Sequence, residues 1–331
     1  MPRPVHIWDR PSSIATPVPR AQTAPPYALA RNEVTDEVES DDAYGYFKFI
    51  HVTLAKKAPH GSTDLQVHVP TDFPFTKFLF SRKARSKPRF TRAPSFEEAQ
   101  VALCVDPDKK TITVQSLTQP LLKVQQYVHF PLTPNPLHLH HAMDGIALFH
   151  AFLQCTNTFN PIWGISLEMH RMKGQYPTWE PEGNLISDGS VCIQSDRSIS
   201  YGFKINSSFP QDLFLSIFYF DPEAFTIHPV YQRQQFQKAP IKSHDSSLIA
   251  PHGSNCKWEF GLRPGHSSSS GFLRFFLTPH FLDLRWMSQR VEPFASNFVS
   301  IGQWRTPKEA FQNVPTWDVL TLLVTVTGSE N

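Results

Sequence analysis

Charged residues are scarce in this chain. They make up 18% of its 331 residues, 31 basic against 29 acidic, for a formal net charge of +2. A balance this even supplies no global field to draw the chain to nucleic acid or anionic lipid. Glycine is scarce too, with 14 residues against 30 Pro and 27 Phe. Phosphate-cradling loops need Gly for close backbone approach, and neither a Walker loop nor G-x-G-x-x-G occurs. Much Phe with little Gly suits aromatic-packed sheets instead. The Cys residues stand alone at 104, 155, 192 and 256, with no C-x-x-C, which argues against a zinc site of the usual spacing. Scattered in this way they read as reduced thiols of a cytoplasmic protein. The N-terminus, MPRPVHIWDRPSS, has no apolar core of a signal peptide. No apolar run reaches the roughly 18 to 20 residues of a membrane helix, so no membrane partner is expected.

Three regions follow from the pattern. Residues 1–43 are rich in Pro, Ala and Thr and end in DEVESDD. They offer no periodic apolar face and read as a disordered tail with Trp8 as its one large anchor. Residues 44–158 read as a small mixed α/β module. It opens with YGYFKFIHVTLA, aromatic and β-branched. In TDLQVHVP, Leu65, Val67 and Val69 alternate with Gln66 and His68, a strand period. PSFEEAQVAL starts as a short helical turn, with Ser95 as cap and Glu98 at the capping-box spacing. QVALCV and TITVQSL form a hairpin across Asp106-Pro107-Asp108. NPLHLHHAMDGIALFHAFL is an amphipathic helix with Asn135 as N-cap and Pro136 first. Its stripe is Leu139, Met143, Ile146, Phe149 and Leu153, and Gly145 is its weak point. The one basic patch, SRKARSKPR at 81–89, lacks interleaved aromatics and reads as a solvated loop, so no nucleic-acid partner is expected.

Residues 159–328 read as a β-sandwich-like module. WGISLEMHRM, SISYGFKIN and NCKWEF alternate as half-exposed antiparallel strands, and GFLRFFLT and DVLTLLVTV add two more. LFLSIFYF, at 213–220, is apolar on both faces until Asp221-Pro222 ends it. Such a segment belongs in the middle of a sheet, one face on an opposing sheet and the other under a covering loop or neighbouring module. The fold class expected is α+β, predominantly antiparallel β.

Chemistry is thin along this chain. His138 and His141 in HLHHAMDG are three apart on a helix, but a metal needs further ligands, and exposed imidazoles in a first helical turn account for them. His60-Gly61 lacks the strand that would precede a cysteine-protease histidine. Cys192, between Val191 and Ile193, reads as a packed thiol on a strand. Glu97 and Glu98 are adjacent and point apart, a poor acid/base pair. Trp258, Trp286 and Trp317 read as buried sheet aromatics rather than a sugar-stacking surface. Asn206-Ser207-Ser208 is a formal sequon without a secretory context. No catalytic, cofactor-binding or metal residue is assigned, and no cofactor is expected.

Several segments in one order carry a resemblance: SLEMHRMKGQYP, GNLI, YGFKINSSFPQDLFLSIFYFDPEAFTIHPVY, GFLRFFLTPHFLDLRWMSQ and PTWDVLTLLVTVT, preceded by RAPSFEEAQVAL and the helical segment. Together, over about residues 45–327, they resemble the region downstream of the caspase-like peptidase domain in basidiomycete fungal proteins. YFDP and FLDLRW are the most specific parts, and the chain departs from that pattern between 250 and 272. In such proteins the catalytic His and Cys belong to the upstream domain and have no matching positions here. The resemblance therefore implies a non-catalytic protein-interaction or regulatory module acting through a protein partner. Two other readings stand beside it: a divergent cysteine hydrolase using Cys192 or Cys104 with a distant histidine, and a lectin-like glycan-binding sandwich.

Overall fold

The computed structural model describes residues 5–6 and 64–328, apart from 72, 74, 81–88, 107–109, 119, 125–126, 132–134, 175–177, 197, 233–237, 250–257, 263–264, 297 and 299–306. His60, Cys256, Trp8, the segment at 44–55 and nearly all of the basic patch lie outside these residues. Of the first 43 residues, Val5–His6 form a two-residue strand, β1, parallel to Trp258–Glu259.

The N-terminal sheet contains β2 (Leu65–His68), β3 (Phe90–Arg92), β4 (Val101–Asp106), β5 (Thr111–Ser116) and β6 (Tyr127–Pro131). Their order is β3-β2-β4-β5-β6, with β2 parallel to both neighbours and the remaining pairs antiparallel. The expected β4–β5 hairpin closes with Asp106 opposite Thr111. Leu65, Val67, Val101, Leu103, Ile112 and Val114 lie on the inner face, all in one buried cluster. The expected helical start at PSFEEAQ is a turn instead. Ala99 N–H donates to Phe96 C=O at 3.2 Å. The Glu97 carboxylate, not Glu98, bonds Ser95 and its own backbone, which lowers its pKa.

Two short helices, α1 (Thr76–Leu79) and α2 (Leu121–Val124), precede α3 (Pro136–Gln154). The Asn135 side chain caps α3 by accepting from Leu137 N–H at 3.0 Å, and Pro136 opens it. Beyond its first turn α3 is buried nearly all round, including Ala142, Ala147, Leu148 and Phe152 outside the expected stripe. A helix loses its polar face only when it is covered on two sides, and here both covers are sheets. Gly145 is a seat rather than a weak point. A Cβ there would stand 2.8 Å from Phe298 Cζ and 3.0 Å from Pro293 Cγ.

The second cover is the central sheet: β9 (Ser190–Gln194), β11 (Phe214–Asp221), β12 (Thr226–Gln232), β15 (Ser268–Thr278) and β16 (Asp318–Thr327), in the order β12-β11-β15-β16-β9. It is antiparallel except for the β16–β9 pair. An outer sheet, β7 (Ile165–Lys173), β8 (Glu180–Glu182), β10 (Ser200–Ser207) and β13 (Asp245–Ile249), runs β13-β10-β7-β8. β14 is the Trp258–Glu259 partner of β1.

The segment at 213–220 answers its question here. Leu215, Ile217 and Tyr219 of β11 share a cluster with Leu167, Met169, Phe203 and Ile205 of the outer sheet. Phe218 and Phe220 share the other cluster with Phe149 and Phe152 of α3. The side chains of β15 divide the same way, Leu273, Phe275 and Leu277 against Phe272 and Phe276. Each such Phe stabilises by about 1.5–3 kcal/mol on burial. The fold is thus α+β and β-rich: a sandwich of outer and central sheets, with α3 and the N-terminal sheet layered on the second face of the central sheet. The cluster around α3 draws on residues from both sides of position 158.

Candidate interaction surfaces

The polar groups that sequence reading singled out are mostly enclosed. His140 is 2% exposed, and its Nδ1 stands 3.5 Å from Asp144 Oδ2 one turn on. Arg89 N–H donates to Asp144 Oδ1 at 3.4 Å. His138 and His141 are half-buried, so the expectation of exposed imidazoles is corrected: the turn faces the N-terminal sheet, with Phe90 edge-on to His140 at 5.2 Å. His150 is 1% exposed, with no partner for either ring nitrogen among the described residues. Phe225 stacks on it at 6.1 Å, and burial pushes its pKa down to about 3.

Arg274 of β15 is fully buried and was not anticipated. It lies on the α3 side of the central sheet, between Phe272 and Phe276. Its guanidinium donates to Phe152 C=O at 2.9 Å, to Cys155 C=O at 2.6 Å and to Leu153 C=O. These are the open carbonyls of the last helical turn, where the helix dipole is negative. A lone Arg inside GFLRFFLT, a strand apolar on both faces, was the signal available. Cys155 beside it is buried, and burial raises its thiol pKa to about 11. Gln100 and Gln154 tie sheet to helix: Gln100 Oε1 accepts from Gln66 N–H at 3.0 Å, Gln100 Nε2 donates to Gln154 Oε1 at 3.3 Å, and Gln154 Nε2 to Thr118 Oγ1 at 3.2 Å.

On the outer face of the outer sheet, Glu168 gathers three donors. Lys204 Nζ reaches it at 3.1 Å, Asn206 Nδ2 at 2.7 Å and His170 Nε2 at 3.0 Å. Partial burial raises the Glu168 pKa, but these bonds and the Lys204 charge outweigh it and the net shift is downward. His170 Nδ1 is bonded to Gly183 C=O at 2.7 Å. The network is closed on itself, and it engages the sequon residue Asn206.

The thiols divide. Cys192 and Cys104 are exposed and Cys155 is buried. The packed-thiol reading of Cys192 is corrected: it does lie on a strand, β9, but its side chain alternates outward between buried Val191 and Ile193. Cys104 lies opposite Thr113, and Thr113 lies opposite His129. Two strand spacings, roughly 9–10 Å, therefore separate Cys104 from that histidine, and His129 Nδ1 is bonded to Thr113 Oγ1 at 2.9 Å. Of the three tryptophans, Trp317 is 3% exposed and stacked on Phe311 at 4.0 Å. Trp286 is half-buried, donating to Asp283 C=O at 2.7 Å. Neither builds a sugar platform, and the side chain of Trp258 lies outside the description.

Two surfaces present large aromatics to solvent. On the outer face of the N-terminal sheet a cross-strand row runs His68, Ala102, Gln115, Tyr127. Phe96, 44% exposed, meets the His68 ring at 5.4 Å, and Tyr127 at the far end is 47% exposed. Gln115 Nε2 donates to Tyr127 Oη at 3.2 Å. The second surface is a tip after α3 where Phe159 is 91% and Trp163 60% exposed. Among the described residues no group of three or more His, Cys, Asp or Glu could hold a metal ion, and no helix is long and apolar enough to cross a membrane. No family model, no curated protein and no solved structure matches the chain.

Proposed function

We propose that the chain is a non-catalytic interaction or regulatory module that binds a protein partner, in the cytoplasm, through the outer face of its N-terminal sheet. The observation that carries this reading is the row from Phe96 to Tyr127. Two aromatics stand more than 40% exposed at the ends of one hydrogen-bonded sheet face. Aromatic side chains on a rigid scaffold are the usual anchors of protein interfaces. The closed state of the other polar groups fits a structural role for them: Glu168 is surrounded by donors, and Arg274 serves the carbonyls of α3. Exposed free thiols at Cys104 and Cys192 suit a reducing compartment. The resemblance to the accessory region of fungal caspase-like proteins makes a caspase-like protein the first partner to try.

The test is capture of a purified caspase-like protein from the same genome, with the wild-type chain and with a Phe96→Ser, Tyr127→Ser variant. The variant should lose binding while its melting temperature holds, since both side chains are exposed. Equal capture by the two proteins, or none by the wild type, removes this surface and this partner from the account.

A further inference from the structure

The tip after α3 is braced by one side chain. Asn157 Oδ1 accepts from Phe159 N–H at 3.1 Å and Asn160 N–H at 3.2 Å. Its Nδ2 donates to the carbonyls of Asn160 at 2.8 Å, Pro315 at 3.1 Å and Trp317 at 3.0 Å. Asn160 Nδ2 donates to Thr316 Oγ1 at 2.6 Å, and Ser208 N–H to Gly164 C=O at 2.8 Å. Trp163 leans edge-on against Phe209 at 6.1 Å. Three segments thus meet, 155–164, 206–211 and 312–317. Not one of them carries an Asp, Glu, Lys, Arg or His, in a chain that is 18% charged. At their summit Phe159 and Trp163 project into solvent.

We infer that this tip inserts into the interfacial layer of a lipid bilayer and holds the protein at a membrane surface. Three properties select a bilayer. The aromatic pair projects from a convex summit, so the complementary medium must be concave or fluid. The amides of Asn157 and Asn160 are spent on the loop itself, which leaves nothing to recognise a sugar. The hydrogen bonds to Asn157, with Pro161 lacking an N–H, close much of the tip's backbone, and that removes the usual cost of bringing a loop into a low-dielectric layer. Trp at the headgroup level with Phe below it is a favoured interfacial arrangement. The expectation of no membrane partner rested on the lack of a spanning segment, which peripheral insertion does not need. With no cation at the tip, attachment should not require anionic lipid.

Co-sedimentation with sucrose-loaded phosphatidylcholine vesicles tests this on the full chain. The wild type should partition onto pure phosphatidylcholine, equally with added phosphatidylserine, and equally between about 50 and 500 mM salt, where screening changes strongly. Phe159→Ser and Trp163→Ser should each lower the partition coefficient about ten-fold or more, with melting unchanged because both residues are exposed. Brominated phosphatidylcholine should quench part of the wild-type Trp emission and none of that part in Trp163→Phe. A wild type that stays in the supernatant, or binding that survives the double Ser variant, overturns the inference. So does binding that needs phosphatidylserine and vanishes in salt. Loss of a protein partner in the Ser variants, with vesicles bound by neither protein, would make the tip a protein contact instead. The row from Phe96 to Tyr127 is untouched by these variants, so either surface can fail alone.

Discussion

His150 is an imidazole sealed into an aromatic pocket. Phe149 and Phe225 flank it, it is 1% exposed, and neither nitrogen has a partner among the described residues. Its folded pKa is about 3 against an ordinary 6.5. The unfolded chain therefore binds the proton first as pH falls. Stability is complete above the unfolded value, drains away below about 6.5, and levels off near the folded value. Between pH 7 and pH 5 this one residue should remove about 2 kcal/mol, one and a half pH units at 1.36 kcal/mol each. Urea denaturation at both pH values, for wild type and His150→Leu, measures the effect. Carboxylates and other histidines titrate alike in the two proteins, so the difference between them isolates His150. The Leu variant should lose about 2 kcal/mol less on going to pH 5. Parallel losses would mean that the ring is charged inside the fold or has an acceptor, and the reasoning would be wrong.

Other expectations follow from the same packing. Arg274→Met should cost about 3 kcal/mol or more, because it strands carbonyls at the buried end of α3, each worth about 1–3 kcal/mol; Arg274→Lys, with one ammonium, should recover part of it. Denaturation midpoints decide both, and a neutral Met variant would contradict the capping role. Gly145→Ala should destabilise by about 1–3 kcal/mol through its clash with Phe298 and Pro293, although Ala is the better helix former; a gain in melting temperature would show that this seat is loose. Under native conditions a maleimide should label Cys104 and Cys192 at ordinary thiol rates and leave Cys155 untouched until unfolding, read by peptide mass. Unusually fast labelling of Cys104 or Cys192 at neutral pH would instead favour the cysteine-hydrolase reading.

Period-two alternation made the strands legible. Ile165, Leu167 and Met169 against Ser166, Glu168 and His170 became β7, and SISYGFKIN became β10, because one face of each is solvated. The helix was legible from Asn135, Pro136 and the stripe from Leu139 to Leu153. Its burial was not, since a second cover comes from strands more than sixty residues away in sequence. That cover also explains Gly145, which local propensity marks as a defect and tertiary packing uses as a seat. Cys192 was misjudged because alternation tells that two faces exist and not which one is inward; Val191 and Ile193 took the inner one. The aromatic tip escaped notice because TNTFNPIWG has no periodicity. Its order comes from Asn157, whose bonds to Pro315 and Trp317 span some 160 positions.

The most direct test of the interaction account is a pull-down of the tagged chain, after mild cross-linking, from extract of the organism that encodes it, run beside the Phe96→Ser, Tyr127→Ser variant. The account expects a caspase-like or signalling protein to be cross-linked to peptides of β4 to β6 in the wild type and to be lost in the variant at unchanged stability. A clean monomer in both, or a partner cross-linked elsewhere and held equally by both, would contradict it.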